Sequence, residues 1–389
     1  MEELCLVSSN NESSNLIAYN IRTGAILASF KGAFCEVHGF AHGKDKLYVA
    51  QANKALLLSY HTSKESIQSR SVCPEVLTTL TVDPSGSYLV GGSMSGKIYI
   101  WLISCGSLLK VVDAHYKKVN KIIFTNDAST IISCSEDSLI KIWDFQEFFI
   151  IERNQPSHTI VDHSLPVTDM AISIGTKSNS ILFSCSLDQT CHIFDVLTGK
   201  RISTLYFSCG LTSIAVNSIG NKLFVGSIYG NIFGVNLSER ETTDVSFDEN
   251  LPYCFTFNCH KRPITCLDVS FDDTLLVSGS SDAKLIVWSI EGRHVTRTLD
   301  NIGELGENIQ MPIYKRTLEH ISSLRCPIEI EQSFDDEEDS DIEIIPKIDV
   351  DSAVREQLRQ MEEKYSKLCQ KHVKYQNAYD HLYQYFVDK

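Results

Sequence analysis

Val119-Asn-Lys-Ile-Ile-Phe124, Thr130-Ile-Ile-Ser-Cys-Ser135 and Leu139-Ile-Lys-Ile-Trp143 are three short apolar runs in succession. Each alternates or runs apolar over about five residues between Asn, Asp and Ser turn residues, the pattern of short β-strands. Polar residues recur at fixed places around them. Asp137 stands six residues before Trp143, Ser133 stands four before Asp137, and His115 precedes the unit. The same offsets return as His163, Ser184, Asp188 and Phe194, and again as His260, Ser278, Asp282 and Trp288.

Working outward, a residue pair that closes a hydrophobic run recurs seven times: Tyr19-Asn20, Tyr60-His61, Trp101-Leu102, Trp143-Asp144, Phe194-Asp195, Val235-Asn236 and Trp288-Ser289. Most spacings lie at 41 or 42 residues, and the fourth and sixth are longer, at 51 and 53. Four short strands per unit of about 41 residues predict an all-β fold, a seven-bladed WD-type β-propeller. In such a blade the turn Asp accepts from the His, the His meets the Ser, and the Ser meets the indole N–H. A Ser, a His and an Asp also suggest a hydrolase triad. Here the trio repeats at the internal spacing of a blade, so it reads as repeat architecture. Phe194 has no indole donor, so its network is expected to be one bond shorter.

The outer units keep the strands without the network. Ser13, Lys54, Ser95 and Tyr229 occupy the place of the turn Asp in units one, two, three and six. Unit one also starts with what matches a second strand, at Leu4–Ser9. Some stretch of residues 303–318 is therefore expected to return and fill the innermost place of that blade, which removes an open edge. The two long spacings place extra residues around Glu152–Asp162 and Glu239–Cys259. Both insertions are expected between an outer strand and the next inner strand, on one rim. Tyr253, Phe255 and Phe257 in the second suggest a rim-loop contact site.

No run of 18 apolar residues suggests a membrane span, and Met-Glu-Glu at the start is unlike a secretory signal. Thirteen scattered cysteines without a C-x-x-C read as reduced, buried thiols. Cys254, Cys259, His260 and Cys266 have metal-ligating types but no standard metal spacing. No catalytic, cofactor-binding or metal site is expected.

Residues 329–351 hold eleven acids and one base. The organisation expected is a propeller over 1–320, an acidic and disordered linker over 321–350, and a coiled-coil helix over 351–389. That helix is read from Val354, Leu358, Met361, Tyr365, Leu368, His372, Tyr375, Tyr379, Leu382 and Phe386, spaced alternately by four and three. A sustained 3.5 period calls for a partner helix, by self-association or hetero-pairing. With no basic stripe, strong direct nucleic-acid binding is disfavoured.

Ala114-His-Tyr-Lys-Lys-Val-Asn-Lys-Ile-Ile-Phe-Thr-Asn-Asp127, Leu165-Pro-Val-Thr-Asp-Met170, Ser186-Leu-Asp-Gln-Thr190 and Ile193-Phe-Asp-Val-Leu-Thr-Gly-Lys200 resemble the WD repeat-containing protein 18 family and its fungal Ipi-type counterparts. The similarity covers nearly the whole chain and is strongest over 73–300; the acidic linker matches no motif of that family. The resemblance implies a non-enzymatic, cofactor-free scaffold in the nucleus, in nucleolus and nucleoplasm, that serves maturation of precursor large ribosomal subunits and removal of pre-rRNA spacer. It implies helical-repeat protein subunits and a midasin-type AAA ATPase as partners, with RNA contact indirect. The rival reading is a WD substrate receptor of a ubiquitin ligase. Those often carry Trp-Asp-x-Arg, whereas Gln146 follows Trp143-Asp144-Phe145 here.

Overall fold

The computed structural model describes residues 2–9, 15–62, 64–149, 155–239, 244–258 and 260–299, with the strands Ile309–Gln310 and Ile313–Arg316. The chain divides into two units, Met1–His320 and Ile321–Lys389. The acidic linker and the ten heptad positions Val354 to Phe386 lie outside the described residues.

The first unit is a seven-bladed β-propeller. Among the described residues there are seven sheets, each built on antiparallel strands that follow one another along the chain, with added strands in blades 1 and 5. Blades 2 to 7 span 40–72, 77–113, 119–160, 167–206, 211–258 and 264–299. Blade 1 is assembled from both ends of the unit. Its second, third and fourth strands are Glu2–Ser9, Leu16–Asn20 and Ile26–Phe30. Ile309–Gln310 and Ile313–Arg316 pair antiparallel with Glu2–Ser9 in the innermost place. The ring is thus closed by the returning chain, and Glu2–Ser9 has no bare edge.

The period-2 alternation of each strand explains where the core sits. Ile142 faces the interface of blades 4 and 5, while its neighbour Trp143 faces blades 3 and 4. Seven apolar clusters result, one at each blade interface. The cluster joining blades 7 and 1 packs Cys5, Val7 and Tyr19 on Val277, Leu285 and Val287. Closure therefore rests on apolar packing as well as on strand pairing.

Both insertions sit elsewhere than the sequence spacing suggested. The outer strand of blade 4 is His158–Ile160, so the first insertion separates the third and fourth strands of one blade. Its short helix Gln146–Phe149 buries Phe148 beside Trp143 and Phe145. The second lies between Asn231–Asn236 and Cys254–Asn258 of blade 6. Part of it, Val245–Ser246, pairs parallel to the outer strand of blade 5 and covers that edge. Phe255 and Phe257 are therefore outer-strand residues rather than loop residues, and Tyr253 directly precedes the strand. Phe257 is buried 4.9 Å from the Trp288 ring. Phe255 packs on Phe224, and Tyr253 on the cluster of blades 5 and 6. Their alternate spacing is that of a strand, which turns these aromatics toward the body.

Candidate functional site

In blades 4, 5 and 7 the repeated polar residues meet. His115 Nδ1–H donates to Asp137 at 3.0 Å, and its Nε2 accepts from the Ser133 hydroxyl at 2.8 Å. The Trp143 indole N–H donates to Ser133 Oγ at 3.0 Å. Blade 7 repeats this with His260, Asp282, Ser278 and Trp288 at 3.2, 2.9 and 2.9 Å. In blade 5 His163 reaches Asp188 and Ser184 at 3.0 and 2.8 Å, and Phe194 offers no donor. There the network runs sideways instead: Thr190 joins Asp188, His163 and His192, and His192 reaches Thr204 at 3.1 Å.

Burial alone would raise the Asp137 pKa, but His115 and two backbone N–H groups outweigh it and hold the carboxyl down to about 2. Asp188 and Asp282 are lowered in the same manner, against burial. Each Asp also accepts from the amide two residues on: Leu139, Thr190 and Lys284. The serine hydroxyls are fully buried; Ser133 and Ser278 are engaged on two sides and Ser184 by His163. A nucleophile needs access to its substrate; these hydroxyls have none, so the trios serve cohesion.

A second set of polar contacts joins blade to blade. Thr78, Asn120, Thr168 and Thr212 each hold the second place of an inner strand. Each donates to the first carbonyl of the next inner strand: Val119, Val167, Leu211 and Ile264. Sequence reading missed this ring-like series, which runs from blade 3 to blade 7. The signal was an apolar residue followed by Thr or Asn at the head of successive inner strands.

The axis of the propeller holds a cavity of about 310 Å³ lined by inner strands. A polar trio stands at its wall, where His38 and Lys121 line the cavity. Lys121 Nζ lies 2.7 Å from Asp169 Oδ1, and His38 Nε2 lies 3.3 Å from the same oxygen. Met170 and Ile214 amides donate to the carboxylate at 2.7 and 3.0 Å. Burial would raise Asp169, but Lys121 and His38 hold it far below the usual carboxylate range. Burial would lower Lys121, yet Asp169 outweighs it and raises the ammonium. Burial, with Lys121, lowers His38. The pair is thus locked ionised beside a neutral imidazole. No member of it is tuned toward neutrality, as a general base would be. Sequence reading had no signal for this trio, which comes from blades 2, 4 and 5.

The described metal-type residues are not brought together. Cys254 packs between blades 5 and 6, Cys266 between blades 7 and 1, and His260 is engaged by Asp282 and Ser278. Cys259 lies outside the described residues. No disulfide joins the ten described cysteines, and all but Cys105 are buried. No helix among the described residues is long and apolar enough to cross a membrane.

The WD domain, G-beta repeat family matches residues 68–101, 106–144, 154–195 and 252–289. These matches run from the outer strand of one blade to the third strand of the next. WD repeat-containing protein 18 of Rattus norvegicus is 29% identical over 289 residues, 73% of this chain and 67% of the relative. Pre-rRNA-processing protein IPI3 of Yarrowia lipolytica is 29% identical over 314 residues, 77% and 72% of the two chains. Pre-rRNA-processing protein crb3/ipi3 of Schizosaccharomyces pombe is 25% identical over 353 residues, 82% and 78%. The chain is a WD-repeat homologue of these proteins. Its WD repeats account for the trios of blades 4, 5 and 7.

Proposed function

We propose that this chain is a non-enzymatic scaffold in the maturation of precursor large ribosomal subunits, acting in the nucleus. The observation that carries the reading is likeness over about three quarters of the chain to proteins named for pre-rRNA processing, on a fold whose repeated His, Ser and Asp side chains are bonded to one another. A rigid ring of this kind presents loops and turns for docking. In the finer reading, the propeller docks on the precursor particle and on helical-repeat subunits and aids recruitment of a midasin-type AAA ATPase. The heptad segment from Val354 to Phe386 pairs with itself or with another subunit. Two modest interfaces joined by a linker raise the effective concentration at the second.

The test is affinity purification of the full chain from nuclei, reading protein and RNA together. Precursor large-subunit RNA and its assembly proteins are the expected company. Cullin-type ligase subunits in their place would overturn the reading in favour of a ubiquitin-ligase receptor. Ending the chain at Lys347 should leave a folded propeller that loses its co-purifying subunits; unchanged assembly would refute the role given to the heptad.

A further inference from the structure

One face of the ring carries the turns that join first to second strands. On three successive blades these turns expose a large apolar side chain: Ile174 at 57%, Ile219 at 75% and Phe271 at 58%. The turns are tied together. Ile174 N–H donates to Ser218 O at 3.1 Å, and Ser218 N–H donates to Asp273 Oδ1 at 3.1 Å. Between them lies a groove of about 190 Å³ whose apolar wall comes from Ile172, Ile174, Val216, Val269 and Phe271. Grouped apolar exposure on a rigid surface marks an interaction site more often than single exposed residues do.

The charge in the lining of this groove is acidic. Asp273 is the charged residue of its lining, and it bonds only to Asn217 and Ser218 among the described contacts. Beside it, Glu3 Oε1 accepts from Phe271 N–H at 2.8 Å. The other oxygen, Glu3 Oε2, is buried with no hydrogen-bond partner among the described residues. Asp272 differs, since Arg22 Nη2 lies 2.5 Å from it. The groove therefore combines apolar walls with an acid at its lining. A second copy of this face would bring these acids against themselves, and nucleic acid or an anionic lipid surface would be repelled.

We propose that the groove between the turns of blades 5, 6 and 7 docks a partner-protein segment that presents bulky apolar side chains flanked by lysine or arginine. The apolar residues fill the space between Ile174 and Phe271, and the basic residue meets Asp273.

The test uses the full chain and three fluorescein-labelled synthetic dodecapeptides. One has leucines flanked by lysines, one has the same leucines flanked by glutamates, and one has lysines with serine in place of leucine. Anisotropy titration should show the leucine–lysine peptide binding at least tenfold more tightly than either other. Ile219→Ser with Phe271→Ser should weaken it at least tenfold with an unchanged melting temperature, because both side chains are exposed. Asp273→Asn, which keeps the acceptor and suits the left-handed backbone there (φ 56°), should weaken it severalfold. Equal binding of the three peptides, or unchanged binding by both variants, would overturn the proposal. So would a wild-type chain whose self-association in sedimentation is abolished by the double variant, since the occupant would then be a second copy.

Discussion

Replacing Asp137 by Ala removes the acceptor at the turn of blade 4 and leaves three donors without it: His115 Nδ1, Tyr116 N and Leu139 N. The His115 side chain is fully buried, so water cannot substitute at its Nδ1. A buried donor stranded by loss of its partner costs about 1–3 kcal/mol, toward the upper end when the lost acceptor was charged. The depressed carboxyl gives an independent measure. The folded value of about 2 against an ordinary 3.8 corresponds to about 2 kcal/mol of stability linked to ionisation. Because the folded value is lowered, that stability is complete above about pH 4 and is lost as pH falls toward 2. Asp137→Ala should therefore lower the melting temperature by about 3 °C at pH 7, since a propeller of this size unfolds with a large entropy. The difference from wild type should shrink as pH is lowered from about 4 to about 2. Calorimetry of both proteins across that range reads both effects. A variant that melts with wild type at pH 7, or a difference that does not narrow in acid, would refute the cohesive role of the network.

Thr168→Val keeps the shape but deletes the bond to Leu211 O; a loss of about 1–2 kcal/mol in denaturant unfolding is expected, and no loss would show the inter-blade series to be incidental. His192 is held down to about 4 from 6.5 by burial and by His163 and Arg201, against Asp188 and Asp162. Its lowered folded value means stability that is full above about pH 6.5 and declines by about 3 kcal/mol as pH falls to about 4. His192→Gln should flatten that decline relative to wild type in thermal scans, and parallel curves would exclude it. Gly96→Ala should cost about 2–4 kcal/mol, the sum of a left-handed backbone and overpacking, read as a fall in melting temperature.

The blade count was legible because one closing residue per blade lies at a fixed period, and each such residue faces the preceding blade. The buried trios were legible for the same reason: His115, Ser133 and Asp137 are fixed by offsets within one blade. What escaped depends on neighbours remote in sequence. His38, Lys121 and Asp169 converge from three blades, and Thr168 finds its acceptor at Leu211 across a blade boundary. The insertions were misplaced because closing-to-closing spacing counts extra residues without saying which side of the outer strand they occupy. Tyr253, Phe255 and Phe257 alternate at every second residue, which is strand periodicity; reading them as a loop cluster ignored it.

The blades that lack the network are still shaped by the blades that have it. After each turn Asp the next residue is left-handed: Ser138, Gln189 and Ala283, at φ 65°, 69° and 60°. Each is held by the carboxylate bonding the amide one residue further on. Blades 3 and 6 have no such carboxylate, and glycine takes the left-handed place, Gly96 at 93° and Gly230 at 87°. Backbone freedom is only half the reason. A Cβ on Gly96 would lie 2.2 Å from His115 O, and one on Gly230 would lie 2.5 Å from His260 O. Those two histidines begin the networks of blades 4 and 7. The loop that delivers each histidine therefore rests on a glycine of the preceding blade, and the His115 amide donates to Gly96 O at 2.8 Å. A side chain at Gly96 would strain its own turn and displace His115 from Asp137 and Ser133 in the next blade. Gly96→Ala and Asp137→Ala should consequently be non-additive, with the double variant losing less than the sum of the two. Simple additivity in a double-mutant cycle would sever this link between the degenerate blade and its networked neighbour.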